Sequence, residues 1–127
     1  MSGTAAILLM LLLALKHAYA DLNLQGRLGG DERSKYPLLS EKNMRHCLDH
    51  AMLGLLVTVW FAPLYLALLL AVAEFVAHYA IDFTKTRVRF AMGWSTKDRA
   101  FWQLQGFDQM AHMLTYGAMA FVIARGW

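Results

Sequence analysis

Three stretches of this chain carry no charged residue: Met1 to Leu15, Ala51 to Ala73 and Met113 to Ala124. Between them lie two polar stretches dense in basic residues. Uncharged apolar runs of this length predict membrane helices rather than half-buried strands. The first helix is expected over about 4–24. A loop containing Gly26, Gly29 and Gly30 then runs to Ser40. Ser40-Glu41-Lys42-Asn43 can open a second helix, capped by Ser40 or Asn43. The run from Ala51 to Ala73 reads either as one kinked span or as a tight hairpin turning at Phe61-Ala62-Pro63-Leu64. As a hairpin it predicts helices over about 43–61 and 64–83. Their apolar arms, His46–Phe61 and Leu64–Phe83, would be roughly 24–30 Å long, just able to cross a bilayer core. A basic loop is expected from Thr84 to Lys97. Ser95-Thr96-Lys97-Asp98 resembles a capping box opening a last helix over about 98–124. Its first turns, with Phe101 and Trp102, look interfacial, and its membrane part begins near Phe107.

Basic residues choose between the two readings of the middle run. All 12 lysines and arginines except Lys16 and Arg125 fall in the polar stretches. Arg27, Arg33, Lys35, Lys42 and Arg45 occupy the first; Lys85, Arg87, Arg89, Lys97 and Arg99 occupy the second. A hairpin puts both stretches on one side of the membrane, which obeys the positive-inside rule; a single kinked span separates them and breaks it. The expectation is an all-α, integral membrane four-helix bundle of one domain over 1–127. Both termini lie outside and two basic loops face the cytoplasm, as in a multi-pass inner-membrane protein. The overall balance agrees, with 58% hydrophobic residues and a mean hydropathy of +0.38, too apolar for an ordinary soluble domain. The single cysteine, Cys47, rules out an internal disulfide. Ala18-Tyr19-Ala20 resembles a signal-peptidase site. However, Met1 to Thr4 carries no basic residue, and Lys16 and His17 intrude before the cleavage point.

Each of the five histidines lies four residues from another histidine or an aspartate. The pairs are His17 with Asp21, His46 with His50, His78 with Asp82, and Asp108 with His112. On a helix such partners share a face one turn apart, so each pair can aim two ligating atoms at one spot. In the hairpin topology all four pairs fall at the cytoplasmic ends of their helices, at one depth. Charge placement alone produces that convergence; the histidines were not used to derive it.

Five imidazoles and three carboxylates suffice for one or two divalent ions, or for one ion with a polar surround. Zinc is the expected metal, with manganese, iron or nickel as alternatives. Ionisable residues inside membrane spans are costly and point to function. Glu74, one turn before His78 on the stripe of Asp82, is the candidate general base or bridging ligand. Lys85 is the candidate for stabilising a developing oxyanion, with Gln109 near a substrate anion and Gln25 extending the first stripe. Such a centre favours hydrolysis of an amphipathic or anionic substrate near the inner face.

Plainer readings stand beside this one. A lone His–Asp pair in a buried helix is more often a hydrogen bond than a metal site. The set of four could simply lock the helices, at about 0.6 kcal/mol per bond in membranes. Asp49 can face the headgroups. The methionines and leucines read as packing or lipid-facing surface. The basic loops fit the anionic inner leaflet, and no nucleic-acid-binding module accompanies them. A holin-like pore is permitted by size but does not need converging ligand pairs. A homo-oligomer or membership of a larger membrane complex stays open.

The ordered pattern resembles a family of small bacterial and phage membrane proteins catalogued as a domain of unknown function. Its parts are His17-x-x-x-Asp21-x-x-x-Gln25, His46-x-x-x-His50, His78-Tyr79-Ala80-Ile81-Asp82-x-x-Lys85 and Phe107-Asp108-Gln109-x-x-His112. The resemblance spans roughly Leu9 to Phe121. The family is also distantly similar to membrane-bound metal-dependent hydrolases associated with the bacterial DNA-damage response. This likeness implies an inner-membrane protein with a shared polar centre. Lys16 departs from the pattern and is expected to snorkel to the cytoplasmic interface.

Overall fold

The apolar runs fold as helices wherever the computed structural model describes them, over residues 1–24 and 41–126. These residues are all-α, without strands. The helices are α1 (Gly3–Tyr19), α2 (Glu41–Thr58), α3 (Leu64–Met92) and α4 (Arg99–Arg125), and a π-helical turn over Ala20–Leu24 continues α1. Ser2 caps α1, its hydroxyl accepting from the Ala5 N–H at 3.2 Å. Arg27, Arg33 and Lys35 of the first basic loop, together with Gln25 and the Ser40 cap, lie outside the described residues.

The middle run is two helices. α2 ends at Thr58, and Pro63 precedes α3 with extended backbone. A residue before proline is driven out of the helical region, so Ala62 cannot carry the helix through. The two helices run antiparallel: His46 of α2 meets His78 of α3, while Gly54 meets Glu74.

α3 does not stop at residue 83, where the basic stretch begins. It continues to Met92 and ends at Gly93, whose φ of 64° lies in the left-handed region. The Trp94 N–H donates to the Arg89 carbonyl and the Gly93 N–H to the Phe90 carbonyl, a Schellman closure. Charged residues end an apolar span but do not break helical hydrogen bonds; only Gly93 does. At α4, Asp98 accepts from the Ser95 N–H at 2.7 Å and the Ser95 hydroxyl at 2.9 Å, and the helix starts one residue later. These two bonds hold the exposed Asp98 carboxyl below its ordinary value of 3.8.

Polarity divides the bundle along its length. The half nearer the termini is an apolar core of Leu9, Leu13, Leu66, Leu70, Met119 and Ile123, closed by Tyr116 and Ala120. The other half buries His17, His46, His50, His78, Asp82, Asp108 and His112. The outside is apolar: Leu15, Leu56, Leu69, Val72 and Leu114 are each at least 60% exposed. That polarity is the reverse of a water-soluble bundle. Two helical stretches, Gly3–Leu24 and Leu64–Met92, are long and apolar enough to cross a membrane. α2 and α4 are less apolar by the same measure: α2 opens on Glu41, Lys42 and Asn43, and α4 carries Asp108, Gln109 and His112 within its apolar part.

Candidate metal centre

All four described helices deliver donors to one place. Asp21, on the π-helical turn after α1, stands 3.3 Å from His17 Nε2, 3.5 Å from His46 Nε2 and 3.1 Å from His50 Nε2. Asp82 does the same on the other flank. Its carboxylate lies 3.3 Å from His78 Nε2, 3.7 Å from His46 Nε2 and 3.5 Å from His112 Nε2. Asp108 Oδ1 is 3.7 Å from His112 Nε2, and His46 and His78 meet Nε2 to Nε2 at 3.3 Å. His50 and His78 lie ring on ring, with centroids 3.9 Å apart. A π-turn is a frequent companion of functional sites, and here it is the element that presents Asp21.

Hydrogen bonds and ligand cages favour different donor separations. An N–H···O bond centres near 2.9–3.0 Å. Ligand atoms at 2.0–2.1 Å from a tetrahedral ion are separated by about 3.3–3.4 Å along each edge. The donor separations run from 3.1 to 3.7 Å, and those of His17 to Asp21, His78 to Asp82 and His46 to His78 match the second figure. Several donors have no hydrogen-bond partner among the described residues, His17 Nε2 and Asp108 Oδ1 included. Buried polar atoms without partners are rare unless something else satisfies them, and a cation would satisfy these. The donor atoms group as His17, His78 and His112; as His46, His50 and His78; as Cys47, His78 and Asp82; and as Asp82, Asp108 and His112. Within each group they lie inside 4.8 Å of one another. Imidazole and carboxylate donors fit a divalent first-row ion and do not select among zinc, manganese and iron.

Glu74 stands apart from this set. Its carboxylate is buried against the Lys16 ammonium, which also donates to the His50 carbonyl at 3.0 Å. The expectation of a general base or bridging ligand at Glu74 therefore meets an ion pair instead. Lys16 does not snorkel: its side chain is 5% exposed and lies over the Tyr116 ring. Such a lysine stays inside only with a carboxylate beside it, and Glu74 is that carboxylate. The pair sits directly over Gly54, where a β-carbon would coincide with the Glu74 carboxylate. Lys85 Nζ is 3.0 Å from Asp108 Oδ2 and 3.6 Å from Asp82 Oδ1. Gln109 Nε2 is 3.3 Å from Asp108 Oδ2.

Tyr116 was not anticipated. Its hydroxyl is 2.9 Å from His17 Nδ1, turning Nε2 of that ring toward the donors. Orientation through the second ring nitrogen is how ligating histidines are held. The signal was present in the chain, since Asp108, His112 and Tyr116 are spaced by one helical turn each. Cys47, noted only for disulfides, brings its sulfur within reach of His78 and Asp82. A lone cysteine beside a histidine carries no spacing signal that would have marked it.

A family described as "Protein of unknown function (DUF3307)" matches residues 7–125 of this chain, so the chain belongs to that family. No curated protein and no solved structure matches it.

Proposed function

We propose that this DUF3307 member is a metal-dependent hydrolase of the bacterial inner membrane, built as four spans with both termini outside. The exposed apolar surface, and the sorting of basic residues into two stretches of the chain, support the membrane reading. One observation carries the chemistry: four separate helical elements bring eight imidazole and carboxylate donors each to within 3.1–3.7 Å of a neighbouring donor, with His17 Nε2 and Asp108 Oδ1 buried without a hydrogen-bond partner.

His17, His46, His50, His78 and His112, with Asp21 and Asp82 beside them, would hold the ion or ions. A divalent ion there supplies Lewis acidity, acidifying water and polarising the scissile bond. The protein's own groups do the rest. Asp108 is the best placed to take a proton from the attacking water, because Oδ2 is anchored by Lys85 while Oδ1 has no hydrogen-bond partner. As the water oxygen bonds to the electrophilic centre, the bond to the leaving group breaks. The Asp108 proton then passes to that leaving group. Lys85, partly exposed beside the donors, balances the developing negative charge. Glu74 acts at one remove, by keeping Lys16 and with it the α1–α2–α3 contact in place.

The test is metal content of detergent-purified protein, prepared without chelator, beside an Asp82→Ala/His112→Ala variant. One or two equivalents of a divalent metal are expected in the native protein and loss in the variant. A native protein without stoichiometric metal would sink the hydrolase reading and leave a hydrogen-bonded lock. Metal that is retained without turnover of any ester, phosphoester or amide amphiphile would instead identify a structural ion.

A further inference from the structure

A groove of about 340 Å³ opens between α3 and α4 beside the centre. Ala80 and Ala111 form its floor, and their small side chains create the hollow. Ile81, Leu104 and Phe107 wall it with apolar surface, and Phe107 is 64% exposed at its outer edge. Three of its lining residues break the apolar pattern, Thr84, Lys85 and Asp108, and the two charged ones meet at the donor cluster. The Lys85 side chain is 27% exposed whereas that of Asp108 is 2% exposed, so a ligand in the groove meets the ammonium first. A smaller recess adjoins the same end, lined in part by Lys85, Arg89 and Gln105. The groove therefore has an apolar length, a partly exposed ammonium paired with Asp108 at its end, and direct contact with the candidate centre.

We propose that this groove binds a single-chain anionic amphiphile, its hydrocarbon along Ile81, Leu104 and Phe107 and its anionic group on Lys85. The inference rests on the hydrolase reading for its consequence, since it names the class of substrate presented to Asp82, Asp108 and His112. Three features select this occupant. The volume lies at the low end of small-molecule sites, which suits one chain. Lys85 is the one cation in the groove's lining, and with the neighbouring carboxylates engaged by an ion its ammonium selects a negative headgroup. Phe107, in the lining, is 64% exposed, so a ligand can enter sideways from an apolar phase.

The experiment is binding to the purified metal-bearing protein in neutral maltoside micelles, read by native mass spectrometry. Dodecyl phosphate is the probe, with dodecanol and inorganic phosphate as its two halves. Dodecyl phosphate should bind at least tenfold tighter than either. Ala80→Phe, at an exposed position, should fill the groove and weaken it at least tenfold while metal content is unchanged. Lys85→Gln should reduce dodecyl phosphate to the level of dodecanol. Dodecanol binding as tightly as dodecyl phosphate would overturn the anionic headgroup. Inorganic phosphate competing as well as dodecyl phosphate would reduce the site to an anion pocket. Equal binding by Ala80→Phe and the native protein would remove the groove. Metal without amphiphile binding sinks this inference alone; amphiphile binding by a protein that holds no metal sinks the hydrolase reading alone.

Discussion

Removing Lys16 and Glu74 one at a time should be far worse than removing both. The two charges are buried to 5% and 1% side-chain exposure and neutralise one another between α1 and α3. Lys16→Met leaves the Glu74 carboxylate buried without its cation, and Glu74→Leu leaves the ammonium stranded. Breaking one partner of a buried pair costs about 3–5 kcal/mol, while replacing both by apolar groups of similar size is often neutral. Lys16 also donates to the His50 carbonyl, a bond worth about 1 kcal/mol that both Lys16 variants lose. The double variant is therefore expected to be about 2–4 kcal/mol more stable than the worse single variant. An ordinary polar contact between membrane helices averages about 0.6 kcal/mol, so the two cases separate clearly. Reversible unfolding in mixed micelles, followed by helicity, measures all four proteins of the cycle. A double variant no more stable than the worse single variant, or a Lys16→Met cost below about 1 kcal/mol, would refute the buried-pair account. Lys16 would then reach water after all.

The remaining predictions concern the groups around that pair and the donors. Gly54→Ala places a methyl group on the Glu74 carboxylate and should cost about 1–3 kcal/mol in the same unfolding assay. Glu74→Asp, which draws the carboxylate back, should recover part of that loss; no recovery would place the strain elsewhere. Tyr116→Phe removes the hydroxyl beside His17 Nδ1 and should weaken metal affinity about 10–100-fold, as read by chelator competition. Unchanged affinity would take Tyr116 out of the site. The Asp98 carboxyl should titrate below 3.8 by NMR and return toward it in Ser95→Ala. Because its folded value is depressed, its contribution to α4 is complete above the unfolded value and disappears as pH falls through the folded one. A Ser95→Ala titration identical to that of the native protein would contradict the Ser95–Asp98 bonds.

Much of the architecture is legible because its causes are local. Charge-free runs, the proline at residue 63 and four-residue spacings each act within a few turns of chain. They suffice for helices, for the reversal between α2 and α3 and for the facing of each His–Asp or His–His pair along its own helix. The end of α3 was misplaced because charge was taken as a helix stop. Backbone hydrogen bonding ignores charge and waits for Gly93, whose left-handed φ closes the helix. Where the sequence alone falls short is in partners drawn from different helices. No spacing rule joins Lys16 to Glu74, 58 residues apart, nor Tyr116 to His17. A lysine at the end of an apolar run reads as snorkelling, and a carboxylate one turn before a histidine reads as catalytic. Only the packing of α1, α2 and α3 over the gap left by Gly54 buries the two together. The same packing decides which donors share a cage, because the axial position of a side chain is set by its own helix but its neighbours are set by how helices lie against one another.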